Sequence, residues 1–178
     1  MKKLFLSLIA MAIFSSLVVN AQKTNVIKTS LTAPFLKTGL VAYERVINED
    51  MSAQLGFYYT SSNLGDLNFS GFAVTPEFRY YLSEEKVAPN GAFLAPFIRY
   101  QSFSLTNNQD HGATANTIGG GILIGIQRVF KDKISLSAFI GPSYRKIDVK
   151  YDDPTQSFEL SFNNNVWARA GVNLGILF

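Results

Sequence analysis

The feature that most constrains the fold is an alternation of apolar and polar or small residues with a period of two. It is clearest in residues 166–178, where the apolar positions are Val166, Ala168, Ala170, Val172, Leu174, Ile176 and Phe178. The positions between them include Arg169, Gly171, Asn173 and Gly175, with Trp167 and Leu177 as exceptions. Successive side chains of a β-strand point to opposite faces, so this segment is predicted to be a strand with one apolar and one polar face.

A second segment, residues 72–82, indicates which face meets which environment. It alternates one set, Phe72, Val74, Pro76, Phe78, Tyr80 and Leu82, with another, Ala73, Thr75, Glu77, Arg79 and Tyr81. The chain has 15 Phe and 8 Tyr but few charged residues, a balance that favours aromatic faces spread over the outside of a membrane barrel. Turning Arg79 towards lipid would cost about 2–4 kcal/mol at the bilayer midplane. The charged face is therefore predicted to point inward and the aromatic face outward.

Six further segments alternate in the same way, at approximately 24–33, 38–47, 51–60, 91–104, 117–130 and 134–150. Short connections at 48–50 and 131–133 contrast with longer polar ones at 61–70, 105–116 and 151–157, as in barrels with short periplasmic turns and long outer loops. The sequence therefore predicts an all-β fold, an eight-stranded antiparallel up-and-down transmembrane β-barrel. The main alternative is a soluble lipocalin-like barrel, which would point its aromatic faces inward around a ligand.

The N-terminal segment is predicted to be a cleaved signal peptide over residues 1–21, with the outer-membrane β-barrel over 22–178. Lys2 and Lys3 precede an apolar run at 4–19, and Ala21 is a small residue at the expected cleavage position. A single anchoring transmembrane helix is the alternative. The absence of cysteine excludes a lipoprotein anchor and disulfides. Without residues 1–21 the 16 basic residues fall to 14 against 13 acidic ones, so nucleic acid is not an expected partner.

Four elements carry a resemblance to a known group: the Tyr43-Glu44-Arg45 tripeptide, residues 76–82, the glycine-rich stretch 119–125 and the terminal Phe178. With these the chain resembles the small eight-stranded outer-membrane barrel families of Gram-negative bacteria, including an uncharacterised branch of "outer membrane protein beta-barrel domain" proteins. The resemblance implies this fold and a place in the cell outer membrane, but no reaction.

The expected partners are those of a protein in that membrane. They are outer-membrane lipids and lipopolysaccharide, the barrel assembly machinery during insertion, and another outer-membrane protein. The membrane insertion signal is expected in the last strand, at Leu174, Ile176 and Phe178.

The inward faces of the predicted strands carry six charged residues, which we expect to form a lumen charge network: Lys28, Glu44, Glu77, Arg79, Arg99 and Arg169. The lumen of an eight-stranded barrel is just wide enough to be filled by side chains, and buried charges need partners. A structural plug of ion pairs is therefore predicted. A gated polar path for ions and a catalytic pair of Glu44 with Glu77 are the alternatives, although nearby arginines favour ionised carboxylates over a proton-donating acid.

Three other motifs have simple structural explanations. The only histidine, His111, could activate Ser102 or Ser104 in a surface lipid hydrolase, but a solvated loop histidine is the simpler interpretation. Four aspartates in the predicted outer loops, Asp66, Asp110, Asp152 and Asp153, could bind calcium or bridge through divalent ions to lipopolysaccharide phosphates. Their spacing is not that of a calcium-binding loop, and solvated turn residues are the simpler interpretation. The glycines of 119–125 do not match the nucleotide-binding spacing, and they are predicted to make room in the lumen for bulky neighbours such as Tyr58 or Phe97.

No catalytic, cofactor-binding or metal-binding residue is therefore assigned from the sequence. The expected role is that of a non-enzymatic outer-membrane barrel, as a structural or interaction protein or an accessory subunit of an outer-membrane complex. A narrow channel for small hydrophilic solutes is the alternative, and a surface lipid hydrolase is a third possibility.

Overall fold

The computed structural model describes residues 24–64, 67–82, 87–107, 112–151 and 165–178. The predicted signal peptide at 1–21 lies outside these residues, as do His111 and the four loop aspartates Asp66, Asp110, Asp152 and Asp153. In the part of the chain that the structure describes, no helix is long and apolar enough to cross a membrane.

Eight antiparallel strands form one closed barrel in which every strand pairs with its neighbours in sequence and the first pairs with the last. The strands are β1 (Asn25–Ser30), β2 (Thr38–Val46), β3 (Met51–Leu64), β4 (Leu67–Tyr81), β5 (Gly91–Asn107), β6 (Gly112–Phe130), β7 (Ile134–Tyr151) and β8 (Val166–Leu177). The predicted eight-stranded up-and-down barrel is confirmed. We call the end with the β2–β3 and β6–β7 connections the turn end, and the opposite end the loop end.

The predicted strand limits are wrong mainly at the loop end. Residues 61–64, 67–70, 105–107 and 112–116, expected in loops, continue the ladders, for example in the pairs Ser62↔Phe69 and Leu105↔Ala113. Their sequences are mostly polar and lack the regular alternation that marks a strand, although their backbones are paired. At β1 the prediction is too long, because Ala33–Leu36 forms a short 3-10 helix with Pro34 in its first turn.

The two faces of the barrel wall differ as the alternation predicts. Along β6, Ile124 is 57% exposed on the outside, while its neighbour Leu123 is fully buried inside. The outward faces of the other strands carry further exposed side chains such as Phe57, Ile98 and Ile140. The lipocalin-like alternative is therefore wrong, because it placed these apolar faces around an internal ligand.

The interior holds polar groups and a compact aromatic cluster together. Buried polar and charged side chains from β1, β2, β3, β4, β6, β7 and β8 share the lumen with Tyr81, Phe93, Phe97, Leu123 and Phe139. A barrel with a polar interior and an apolar exterior has the reverse of the usual distribution in a water-soluble protein. The charged lumen is therefore the candidate functional site.

Candidate functional site: the charged lumen

The six charged residues predicted for the lumen all lie inside the barrel, at two levels. Lys28, Glu44, Glu77 and Arg79 are buried towards the turn end. Arg99 and Arg169 lie towards the loop end and line a cavity there. The sequence prediction treats them as one network, whereas the structure separates a buried network from a more open group of arginines.

The buried network is centred on the carboxylate of Glu44, which has no exposed surface. One carboxylate oxygen lies 2.5 Å from Lys28 Nζ and accepts a hydrogen bond of 3.1 Å from Gln127 Nε2. The other oxygen accepts hydrogen bonds from Ser52 Oγ at 2.5 Å and from Tyr81 OH at 2.7 Å. Both oxygens are thus paired, which is the condition under which a buried carboxylate is tolerated.

The ammonium group of Lys28 is equally well paired. Besides its contact with Glu44, it donates hydrogen bonds to Gln54 Oε1 at 3.0 Å and to Gln127 Oε1 at 2.7 Å. An ammonium group has three donors, and these three acceptors match them. Gln127 therefore bridges the lysine and the carboxylate with the two ends of one amide.

A second carboxylate links this network to the loop end. Glu77 accepts a hydrogen bond of 2.7 Å from Arg79 Nε and one of 3.3 Å from Arg169 NH1. Arg79 also donates to Gln127 Oε1 at 2.8 Å, and its NH1 lies 3.8 Å from Glu44. The pair Glu44 and Glu77 is therefore held by cations, an arrangement that suits ionised carboxylates rather than a proton-donating acid.

Glycines of β6 make room for aromatic rings of β5, and arginine side chains stack on these rings. Gly121 and Gly125 of β6 pair with Phe97 and Phe93 of β5, with the same spacing of four in both strands. A Cβ atom on Gly125 would collide with the Phe93 ring, and one on Gly121 would lie 3.1 Å from the Phe97 ring. The guanidinium of Arg79 lies over Phe93, 4.4 Å from the ring centroid.

The same arrangement recurs beside Arg169. Gly171 of β8 pairs with Phe139 of β7, and a Cβ on this glycine would lie 2.8 Å from the Phe139 ring. The guanidinium of Arg169 lies 5.1 Å from the centroid of Phe139 and 4.5 Å from that of Phe97. The predicted role of the strand glycines, to admit bulky lumen neighbours, agrees with this packing at Phe97.

Above the buried network, towards the loop end, lies a cavity of about 310 Å³. We call it the loop-end cavity. Arg99 lies over the ring of Tyr58 at 4.2 Å and donates to Thr75 Oγ1 at 3.3 Å. Arg145 lies over the ring of Trp167 at 4.0 Å. Its wall includes the polar and aromatic residues Tyr58, Arg99, Arg145, Trp167, Arg169 and Asn173.

The sequence prediction missed Arg145 and the neutral partners of the charges, Ser52, Gln54, Tyr81 and Gln127. Continuing the alternation of β7 beyond Tyr144 would have placed Arg145 inside, because it shares the parity of the buried Ser135, Ser137 and Phe139. The neutral partners also have inward parity, but so do other polar residues. Only the register between strands selects the ones that meet Glu44.

The described residues contain no cluster of three or more His, Cys, Asp or Glu side chains that could hold a metal ion. Ser102 and Ser104, the candidate nucleophiles, lie on β5 and pair with Asn116 and Thr114 of β6. Their proposed base, His111, is outside the described residues.

Comparison with known proteins gives a family and a fold. A family model described as "Protein of unknown function (DUF3575)" matches residues 5–178. No curated protein matches the chain. Among solved structures, the chain is similar to Neisserial surface protein A, with 14% identity, a TM-score of 0.56, and coverage of 86% of this chain and 93% of that one.

It is also similar to a major outer membrane protein from Thermus thermophilus, with 13% identity and a TM-score of 0.55. That alignment covers 87% of this chain and 99% of the other. At these identities the likeness concerns the barrel fold.

Proposed function

We propose, from the premise that the chain belongs to the DUF3575 family, that it is a plugged, non-enzymatic barrel of the cell outer membrane. It would act as a structural or interaction protein, or as an accessory subunit of an outer-membrane complex. The observation that carries the proposal is the combination of an apolar outer wall with a lumen closed by the Glu44 network.

The outer wall supports a place in a membrane. On β6 the outward residues from Ile118 to Ile126 are uncharged, and the four isoleucines among them are exposed. At roughly 3.3 Å per residue this stretch is about 26 Å long, which in a tilted strand covers most of an apolar band about 25 Å tall. Arg128 lies beyond it towards the turn end, where a cation would reach lipid headgroups.

The side chains inside the lumen support a plugged barrel. Glu44, Arg79 and Gln127 have no exposed surface, and Tyr81, Phe93 and Leu123 fill the space beside them. Among the described residues these buried side chains occupy the lumen at this level, which favours a plug over an open path for solutes. The architecture favours a role exercised by the surface of the barrel.

The loop end offers that surface. The hairpins β3–β4 and β5–β6 continue beyond the apolar band to Leu64 and Asn107, and β7 continues to Tyr151. Outward residues of this part of β7 include Lys146 and Asp148, which are exposed. In barrels of this type the end opposite the short turns faces the cell exterior, so these extensions would meet a partner or lipopolysaccharide there.

Fractionation and gel mobility test the location. We expect the protein in the outer-membrane fraction, soluble only in detergent, with a gel mobility that changes on boiling as the barrel unfolds. We also expect the mature chain to begin at Gln22, in agreement with signal-peptide cleavage after Ala21. A detergent-free periplasmic monomer would contradict the membrane location.

A narrow channel is the second candidate, because the plug is polar and lies between two cavities. The cavity at the turn end has a volume of about 550 Å³ and includes Val46, Asn48, Pro89 and Asp132 in its wall. Movement of Arg79 and Glu77 would have to connect it with the loop-end cavity. We expect purified protein in planar bilayers to give no discrete conductance, and reproducible single-channel steps would favour the channel instead.

A further inference from the structure

We infer that the loop-end cavity is a binding site for a small soluble anion with carboxylate or phosphate groups. This inference goes beyond the proposed function, because a plugged barrel can bind such a ligand from its aqueous side without conducting it. It depends on three observations: the charge balance of the lumen, the presentation of the arginines, and the shape of the cavity.

The charge balance of the lumen is positive. Its described inward faces carry five cationic side chains, Lys28, Arg79, Arg99, Arg145 and Arg169, against two carboxylates, Glu44 and Glu77. Both carboxylates lie below the loop-end cavity, and no acidic residue is among the described residues of the cavity wall. Charged groups in a low-dielectric lumen are weakly screened, so the excess favours an anion at the level of the arginines.

Both carboxylates of the lumen are already paired with cations below the loop-end cavity. Glu44 is taken by Lys28, and Glu77 is shared between Arg79 and Arg169. Among the described residues, Arg99 and Arg145 form no ion pair, and the contacts of Arg99 are with the neutral side chains of Tyr58, Thr75 and Gln101. The positive charge of these two arginines is therefore not balanced by an acidic side chain among the described residues.

Aromatic rings hold these guanidinium groups flat. Arg99 lies on Tyr58, whose hydroxyl accepts a hydrogen bond of 2.9 Å from Arg169 NH2, and Arg145 lies on Trp167. Stacking occupies the face of a guanidinium and leaves its N–H edge for hydrogen bonds, which can be two parallel ones to a carboxylate or phosphate. The Nε and Nη2 edge of Arg99 faces the amide oxygen of Gln101, a neutral acceptor that an anion would replace. The Nε atom of Arg145 is shielded from solvent and has no hydrogen-bond partner in the described structure.

The shape of the cavity limits the size of the ligand. A volume of about 310 Å³ is at the small end of ligand sites, which suits a compact metabolite with one or more acidic groups. Polar side chains from the wall, such as Thr117 and Asn173, provide hydrogen-bonding groups beside the arginines. The barrel wall surrounds the cavity, so the ligand would enter from water at the loop end.

The chain contains a built-in reporter, because Trp167 is its only tryptophan and lies in the wall of this cavity. The full-length mature protein, folded in detergent, is titrated with sodium citrate and separately with sodium phosphate. Sodium chloride at matched ionic strength is the reference for non-specific salt effects. Binding is followed by Trp167 fluorescence and by isothermal titration calorimetry.

We expect a saturable response at one site with citrate, phosphate or both, and none with chloride. Arg99→Gln and Arg145→Gln should each weaken binding by more than tenfold, as measured by calorimetry. Arg128→Gln is the matched control: it removes the same charge from an exposed position near the turn end, and binding should be unchanged.

Three results would overturn the inference. They are the lack of any response beyond that of chloride, unchanged binding by both cavity variants, and an equal loss in Arg128→Gln, which would indicate general attraction to a positive protein. Heat-dependent gel mobility checks that each variant is folded. If Arg99→Gln does not fold, Arg145→Gln decides the question, because its side chain lies nearer the rim and outside the buried network.

Discussion

The two levels of the lumen use similar residues in opposite ways. Towards the turn end, Lys28 and Arg79 are buried with two carboxylates and several neutral partners, and both cations form ion pairs. Towards the loop end, Arg99 and Arg145 lie on aromatic rings around a cavity, without an ion pair among the described residues. Compensated charges fill space, whereas uncompensated charges beside a cavity are available for binding.

Arg169 connects the two levels and shows where one ends. It binds Glu77 below and Tyr58 above, and its side chain is 12% exposed, whereas that of Arg79 is fully buried. The barrel thus changes from a packed plug to an open cavity within a few residues along β8. Substitutions at the two levels should therefore have different consequences for stability.

The largest effect is expected from Glu44→Ala in the buried network. This variant would leave Lys28 without its ion-pair partner and Arg79 with only Glu77. Removing one partner of a buried ion pair typically costs about 3–5 kcal/mol. The free energy of unfolding, measured by urea titration of the barrel in lipid vesicles, should fall by about this amount, or the variant should fail to reach its heat-modifiable form.

The control for this experiment is Glu49→Ala in the exposed connection between β2 and β3. It removes a carboxylate that is already exposed to water, so the free energy of unfolding should change by less than about 0.5 kcal/mol. Equal effects at both positions would show that the Glu44 network contributes no more to stability than a surface charge.

The second prediction concerns the glycines that admit the aromatic rings. In Gly125→Ala the new Cβ would collide with the ring of Phe93 and with the main-chain oxygen of Ala138. Forcing extra volume into a packed interior typically costs about 1–3 kcal/mol, so the free energy of unfolding should fall by that amount. Gly39→Ala is the matched control, since its Cβ would have no neighbour nearer than 3.9 Å; a similar loss there would rule out the packing explanation.

The fold could be predicted from the sequence because alternation with a period of two is a local signal. It gave the eight strands, and the cost of exposing Arg79 to lipid gave the direction of their faces. The strand extensions at 61–64 and 112–116 could not be found in this way. Outside an apolar band both faces of a strand meet water, so pairing continues there without any alternation in the sequence.

The site could be predicted only in part. Charge and parity gave six inward residues, but the partners of Glu44 depend on which residues of different strands meet. Gln127 is 83 positions from Glu44 in the chain, and no local pattern connects them. The division of the lumen into a paired network and a loop-end cavity depends on the same long-range register, together with the distances between rings and guanidinium groups.

The smallest effect on stability is expected from Arg145→Gln, which tests how much an arginine of the loop-end cavity contributes compared with one of the buried network. This substitution loses a stacking contact with Trp167, which at a partly exposed site is worth about 0.5–1 kcal/mol. It also removes one of the positive charges that lack an acidic partner. The weaker repulsion among the remaining arginines offsets part of the stacking energy that is lost. The free energy of unfolding should therefore change by less than about 1 kcal/mol in the same urea titration.

Arg79→Gln is the matched substitution in the buried network and should destabilise the barrel several times more, because Glu77 and Glu44 would each lose a cation. Similar costs at the two arginines would mean that the loop-end cavity is as tightly integrated as the plug, and that its arginines are structural.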